Sequence, residues 1–200
     1  MSDFIHLFPS PVYKTSVAGH RKFKKTIVPK LLDTFTREPD KCAPWSTICN
    51  TWQTSEIDTK DFEIISKDIE LAIETYITFL QIPNFKYRYN GWINVHDSEM
   101  YQELHNHIPA IISGIYYVQF DKTQHRSVLF SNPSTHYLTL LETYNVRINN
   151  HSMGPYRNIG IDIDEGDMLL FPSTLDHIVP RSPDSIDKRI SLSFNVFANA

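Results

Sequence analysis

Phe85-Lys86-Tyr87-Arg88-Tyr89-Asn90-Gly91-Trp92-Ile93-Asn94-Val95 is where the texture of this 200-residue chain changes. Before it, apolar residues recur at helical steps; from Phe85 on they alternate, as side chains do on the two faces of a strand. Downstream, residues 111–120 form a strong strand. Val128-Leu129-Phe130, Ile159-Gly160-Ile161-Asp162-Ile163, Met168-Leu169-Leu170-Phe171, His177-Ile178-Val179 and residues 189–197 follow as shorter ones. Many short strands parted by Pro, Asn, Asp and Gly imply a sandwich or barrel.

Upstream, Phe8-Pro9-Ser10-Pro11-Val12-Tyr13 reads as a short extended strand, because its prolines disfavour helix. Residues 19–37 read as a helix with Phe23, Ile27, Leu31, Leu32 and Phe35 on one face, and Pro29 as the point where it kinks or divides. Residues 39–52 read as a loop. A second helix, capped by Asp58, Thr59 or Asp61, runs to about residue 80. It carries Phe62, Ile65, Ile69, Ala72, Ile73, Tyr76 and Phe79 on one face, and Pro83 ends it. The expected architecture is mainly β with N-terminal helices. It is a single domain over 1–200, in which 1–83 is a helical buttress and 84–200 the β core. Residues 126–156 are irregular and polar, as a lid over a site would be.

Hydrophobic residues make up 41% of the chain and charged residues 21%, which suffices for a sizeable core. A net charge of −4 argues against a general nucleic-acid binder. The basic run His20-Arg21-Lys22-Phe23-Lys24-Lys25 reads as a solvated helix face. Cys42 and Cys49 are not spaced as CxxC and have no second pair, so zinc is disfavoured and a reduced pair expected. Met1-Ser2-Asp3-Phe4-Ile5-His6 is no secretory signal, and the apolar run 108–120 is too short to span a bilayer. The expected location is therefore cytoplasmic. There Asn150-His151-Ser152, a match to a glycosylation acceptor, carries no meaning.

Three stretches carry chemistry: His105-Asn106-His107, Asp176-His177 and Arg189-Ile190-Ser191. Two imidazoles two residues apart on a strand can face the same way. Joined by His177 from a distant strand, they can cap one face of an iron ion and leave positions open. Ile190, Leu192 and Phe194 alternate with Arg189, Ser191 and Ser193. If the latter face lines the barrel, a buried guanidinium there needs an anion. The far carboxylate of a dianionic co-substrate has the shape for a forked contact, with Ser191 adding a hydroxyl. That arrangement suggests an oxygenase.

The chain resembles the Fe(II)- and 2-oxoglutarate-dependent oxygenases, in particular a small family of marine bacteria and their phages related to prolyl hydroxylases. The resemblance runs from Leu7-Phe8-Pro9-Ser10-Pro11-Val12-Tyr13 through Trp92-Ile93-Asn94, His105-Asn106-His107-Ile108-Pro109 and Ser113-Gly114-Ile115-Tyr116-Tyr117. It continues with Gly166-Asp167-Met168-Leu169-Leu170-Phe171-Pro172-Ser173 and His177-Ile178-Val179-Pro180, and closes with Arg189-Ile190-Ser191-Leu192-Ser193-Phe194-Asn195. It implies a double-stranded β-helix, a jelly-roll or cupin-like barrel buttressed by two or three helices. It also implies Fe(II), 2-oxoglutarate and O2 as cofactors, and hydroxylation coupled to decarboxylation of 2-oxoglutarate to succinate. The implied metal ligands are His105, His107 and His177. The implied 2-oxoglutarate contacts are Arg189 and Ser191, with Tyr117 standing where prolyl-hydroxylase-like enzymes use a tyrosine, and Asn94 touching co-substrate or substrate. In the wider superfamily the first motif is His-x-Asp or His-x-Glu. Here His107 takes the third position, and Glu103 or Asp176 are the alternative ligands.

Trp92, Tyr87 and Tyr89 are expected in the core. His6, His20, His96, His125, His136 and His151 are expected at surface or structural positions. The partners expected are an unidentified substrate, either a protein residue or a small molecule, with no membrane, no nucleic acid, and room for a homodimer. If the chain is phage-encoded, the cytoplasm is the host's. Two rival readings stand beside this one: a three-histidine iron dioxygenase that uses no 2-oxoglutarate, and a non-catalytic cupin-like binding or structural protein.

Overall fold

The alternation that begins in the quoted stretch is realised as one ten-residue strand, Tyr87–His96, bound along its whole length to a second ten-residue strand, Arg189–Ala198. The computed structural model describes residues 10–41, 49–54, 63–83, 86–134, 136, 139–140, 143–144 and 157–199. In chain order its elements are β1 (Tyr13–Ser16), α1 (His20–Arg37), β2 (Cys49–Asn50), β3 (Trp52–Gln53), α2 (Ser66–Phe79) and β4 (Tyr87–His96). There follow β5 (Tyr101–His105), β6 (Ile112–Gln119), β7 (Leu129–Ser131), β8 (Asn158–Gly160), β9 (Asp167–Pro172), β10 (His177–Val179) and β11 (Arg189–Ala198).

All described pairings are antiparallel. A six-stranded sheet runs β1-β9-β6-β11-β4-β3, and a five-stranded sheet runs β2-β5-β10-β7-β8. Neighbours in space are rarely neighbours in sequence, because the chain passes repeatedly between sheets and rolls them into a double-stranded β-helix.

Two-residue periodicity divides the six-stranded sheet between two cores. Ile190, Leu192, Phe194 and Val196 of β11, Ile112, Tyr116 and Val118 of β6, and Met168 and Leu170 of β9 pack with Phe23, Ile27 and Leu31 of α1 and Ile69, Ile73 and Tyr76 of α2. The opposite parity, Ile115, Tyr117, Leu169 and Phe171, packs between the sheets with Phe130 and Val179. The outer core glues the helices to the sheet, and the inner core closes one end of the roll.

Several local expectations are corrected. The N-terminal strand starts at Tyr13, where residues able to donate to a ladder resume after Pro11, and it pairs with β9. The expected loop 39–52 contains β2 and begins β3, which edge the five- and six-stranded sheets. Pro29 lies inside one unbroken helix. The second helix starts at Ser66, and Asp58, Thr59, Asp61 and Phe62 lie outside the described residues, as does Cys42. Asp68 in its first turn accepts the Gly19 backbone N–H at 3.0 Å, tying the two helices together. The strand expected at 159–163 ends at Gly160. Of the expected lid at 126–156, Leu129–Ser131 forms strand β7, and most of 135–156 lies outside the described residues.

Two glycines answer to geometry. Gly166 has φ +93°, in the left-handed region, and turns the chain into β9. Gly114 lies opposite Phe194, whose ring occupies the space a side chain there would fill. Gly114→Ala is expected to destabilise the protein by about 1–3 kcal/mol through overpacking. Urea unfolding would measure this, with partial recovery in the Gly114→Ala/Phe194→Leu double variant.

Candidate metal and co-substrate site

β5 and β10 are adjacent, and His105 is the direct cross-strand partner of His177. Their side chains therefore leave the sheet on the same face, with ring centroids 4.4 Å apart. The strand ends at His105, so His107 is not on it as the sequence reading supposed. The chain instead turns, and the His107 backbone N–H donates to the Ser173 carbonyl at 2.9 Å. That anchor brings the third ring to 5.1 Å from His105 and 5.2 Å from His177. One ring nitrogen from each of the three lies within 4.8 Å of the others.

The hydrogen bonds select the free nitrogen. A carbonyl only accepts, so the contacts of His105 Nδ1 with Glu103 O at 2.6 Å and of His177 Nδ1 with Leu175 O at 2.9 Å place hydrogen on Nδ1. In the neutral rings Nε2 is then a bare lone pair, which is the form a metal takes. Burial holds the rings neutral: His107 is pushed down to about 3 and His177 to about 4, each helped by a neighbouring imidazole, and His105 is lowered by burial. This donor set fits a divalent cation.

The two carboxylates offered as alternatives do something else. Glu103 is exposed and uses its backbone carbonyl to orient His105. Asp176 accepts from Asn106 Nδ2 at 2.9 Å, bracing the two segments that bear the imidazoles against each other. Among the described residues neither belongs to the convergent group.

The rings open into a cavity of about 490 Å³ that also reaches Arg189, Ser191, Tyr117 and Asn94. Arg189 is 4% exposed. Its Nη1 donates to the Arg126 carbonyl at 2.6 Å, while Nε has no hydrogen-bond partner among the described residues. Burial lowers it to about 10, leaving a cation at neutral pH, and among the described residues no carboxylate compensates it. Ser191 lies opposite Asn94 on one side and Tyr117 on the other. The Tyr117 hydroxyl accepts from the Val128 N–H at 3.2 Å, and burial pushes its pKa up, so it keeps a hydrogen to donate. Asn94 donates to Ser193 Oγ at 3.0 Å.

Trp92 departs from its expected place, and His96 has a more particular one. Trp92 is half-buried, lines the cavity and lies 5.8 Å from the His107 ring, whereas the core was expected. His96, read as surface or structural, is buried in the cavity wall directly across from Arg189. Residues 92, 94 and 96 share one parity of one strand, and that was the available signal. Tyr87 and Tyr89 do pack against the outer core. His20 bonds the Tyr116 hydroxyl at 2.7 Å and His125 is buried in hydrogen bonds, both structural; His6 and His151 lie outside the described residues.

No curated protein matches the sequence. Among solved structures, the fold is similar to a prolyl-4-hydroxylase of Pseudomonas putida (TM-score 0.61, 9% identity, 94% of this chain and 93% of that chain). It is similar to a prolyl hydroxylase of Trichoplax adhaerens in complex with a hypoxia inducible factor oxygen degradation domain peptide fragment (0.60, 12%, 93% and 83%). It is also similar to HygX of Streptomyces hygroscopicus with nickel and 2-oxoglutarate bound (0.59, 11%, 94% and 83%). These likenesses show the double-stranded β-helix. The sequence itself matches the 2OG-Fe(II) oxygenase family over residues 90–195, the stretch that holds most of β4, the three histidines and most of β11. The chain thus belongs to the 2OG-Fe(II) oxygenase family, enzymes whose cofactors are iron(II), 2-oxoglutarate and dioxygen.

Proposed function

We propose that His105, His107 and His177 hold the iron through their ring nitrogens, and that Arg189 grips the far carboxylate of 2-oxoglutarate, with Ser191, Tyr117 and Asn94 as neighbouring polar contacts. The observation that carries this is Arg189 itself: a buried cation with no anionic partner among the described residues, opening on the same cavity as three neutral imidazoles. An uncompensated buried charge costs several kcal/mol, and a carboxylate delivered by the co-substrate offsets that cost. A three-histidine dioxygenase without an oxo-acid leaves Arg189 with no such role, and a non-catalytic barrel leaves both features unused.

The reaction we assign converts a substrate C–H, 2-oxoglutarate and O2 into the hydroxylated substrate, succinate and carbon dioxide. Iron, when bound, supplies the dioxygen chemistry. The chain's own residues do the rest. Nδ1 donation to Glu103 O and Leu175 O fixes two ligand rings in the tautomer that presents Nε2. The Asn106–Asp176 bond holds the ligand-bearing segments in register. Arg189 orients the oxo-acid along the cavity, and the surrounding apolar wall, including Phe171 and Val179, excludes water.

Three neutral ligands leave the ion's two positive charges intact, so a dianion balances the site. The substrate is a protein residue or a small molecule; the similar structures include one with a peptide fragment and one with hygromycin B bound. We read residues 1–200 as one catalytic domain acting in the cytoplasm, the host's if the chain is phage-encoded. No helix among the described residues is long and apolar enough to cross a membrane.

Arg189→Ala is expected to raise the apparent constant for 2-oxoglutarate on the order of 100-fold while changing that for iron little; equal effects on both would remove Arg189 from this role. His177→Ala is expected to abolish stoichiometric iron binding, read by metal analysis after anaerobic loading. In the metal-free protein the depressed imidazoles tie stability to pH. The neutral rings are favoured in the folded chain, so their contribution is complete above the ordinary value of 6.5. It is lost as pH falls from there toward about 4 for His177 and about 3 for His107. Urea unfolding at pH 6.5 and 5 is expected to show a loss on the order of 2 kcal/mol per ring, with a shallower slope in His177→Gln.

A further inference from the structure

His96 and Arg189 line the same cavity. The two are direct partners across β4 and β11, so their side chains share a face. His96 is 3% exposed, and among the described residues its Nδ1 has no hydrogen-bond partner, as Arg189 Nε has none. Two buried side chains that line one cavity thus each carry an unmet polar atom, and an unsatisfied buried group calls for a ligand atom. The other ring nitrogen, Nε2, lies 3.0 Å from Thr51 Oγ1, and that hydroxyl also lies 3.1 Å from the Tyr101 carbonyl. Thr51 is itself fully buried.

A hydroxyl has one hydrogen and the carbonyl can only accept. While Thr51 donates to Tyr101 O, it accepts from His96, so Nε2 carries the ring hydrogen and Nδ1 is a lone pair. If the hydroxyl turns to donate to Nε2, the neutral ring carries its hydrogen on Nδ1 and offers a donor to the cavity. A carboxylate beside Arg189 is repelled by the first arrangement and bound by the second. Burial and the Arg189 charge keep the ring neutral, so the choice is between tautomers.

We propose that His96 is a second binding residue for the far carboxylate of 2-oxoglutarate, donating from Nδ1, and that the Thr51 hydroxyl sets the tautomer that lets it do so. This rests on the assignment of Arg189 to that carboxylate.

The test is calorimetric titration of 2-oxoglutarate into the full chain loaded with Mn(II), without oxygen. His96→Phe keeps the ring volume and removes both nitrogens. It is expected to raise the dissociation constant roughly 10- to 100-fold and to leave the Mn(II) constant unchanged. His96→Asn keeps an N–H near the Nδ1 position and is expected to retain most of the affinity. Thr51→Val is expected to weaken binding roughly 3- to 10-fold, with no further loss when combined with His96→Phe. In the parent chain loaded with diamagnetic Zn(II), histidine 15N shifts are expected to report His96 protonated on Nδ1 once 2-oxoglutarate is added, a readout that needs no variant to fold. Parental affinity in His96→Phe, or a ring that stays protonated on Nε2, overturns the inference while leaving Arg189 in place if Arg189→Ala still weakens binding. A Mn(II)-loaded parent that binds no 2-oxoglutarate overturns the underlying assignment as well.

Discussion

The pairing of β4 with β11 is the constraint on which the rest depends. Ten consecutive residues of each strand are in register, from Arg189 opposite His96 to Ala198 opposite Tyr87. Because side chains alternate, that register does two things at once. It sends Ile190, Leu192 and Phe194 into the helix-facing core with Ile93 and Val95. It sends Arg189, Ser191 and Ser193 into the cavity with His96, Asn94 and Trp92. A slip of one residue would exchange the two sets, burying a guanidinium among aliphatic side chains and emptying the site. The helices, by gripping one face, protect the polarity of the other.

The other half of the site follows a different logic. His105 and His177 converge because β5 and β10 are paired, but His107 arrives through a backbone hydrogen bond to Ser173 after the strand has ended. The two histidine-bearing segments come from places about 70 residues apart in sequence, and Asn106 and Asp176 clasp them. The carboxylate nearest the imidazoles therefore acts as a brace. Neutral rings, and a cation that no carboxylate among the described residues compensates, line one largely apolar cavity and make a site that favours anions. That is the electrostatic counterpart of a three-histidine set with no carboxylate in it.

Much of this could be read from residues. The switch from helical spacing to alternation at Phe85 marked the sheet, and parity on 189–194 placed Arg189 and Ser191 away from the apolar face. The motif residues carried the family, which the match over 90–195 bears out. The misreadings have physical causes. Two-residue strands such as β2 and β3 are too short to show a period, and they exist only because an edge of a sheet is there to bind them. A helix start that no side-chain cap marks, as at Ile65, leaves the sequence nothing to signal. His96 looked idle because its partner in sequence terms is 93 residues away.

By itself, then, the sequence determined which residue types exist in which local alternation, and hence the β character, the helices, the candidate ligands and the family. Local periodicity depends only on neighbours along the chain, so it survives without a structure. Tertiary structure alone decided which parity faces the cavity, that His107 reaches the other rings from a turn, that Glu103 and Asp176 stay outside the convergent group, and that His96 meets Arg189. Each of these is set by strand register and by hydrogen bonds between distant segments, quantities that no stretch of sequence contains on its own.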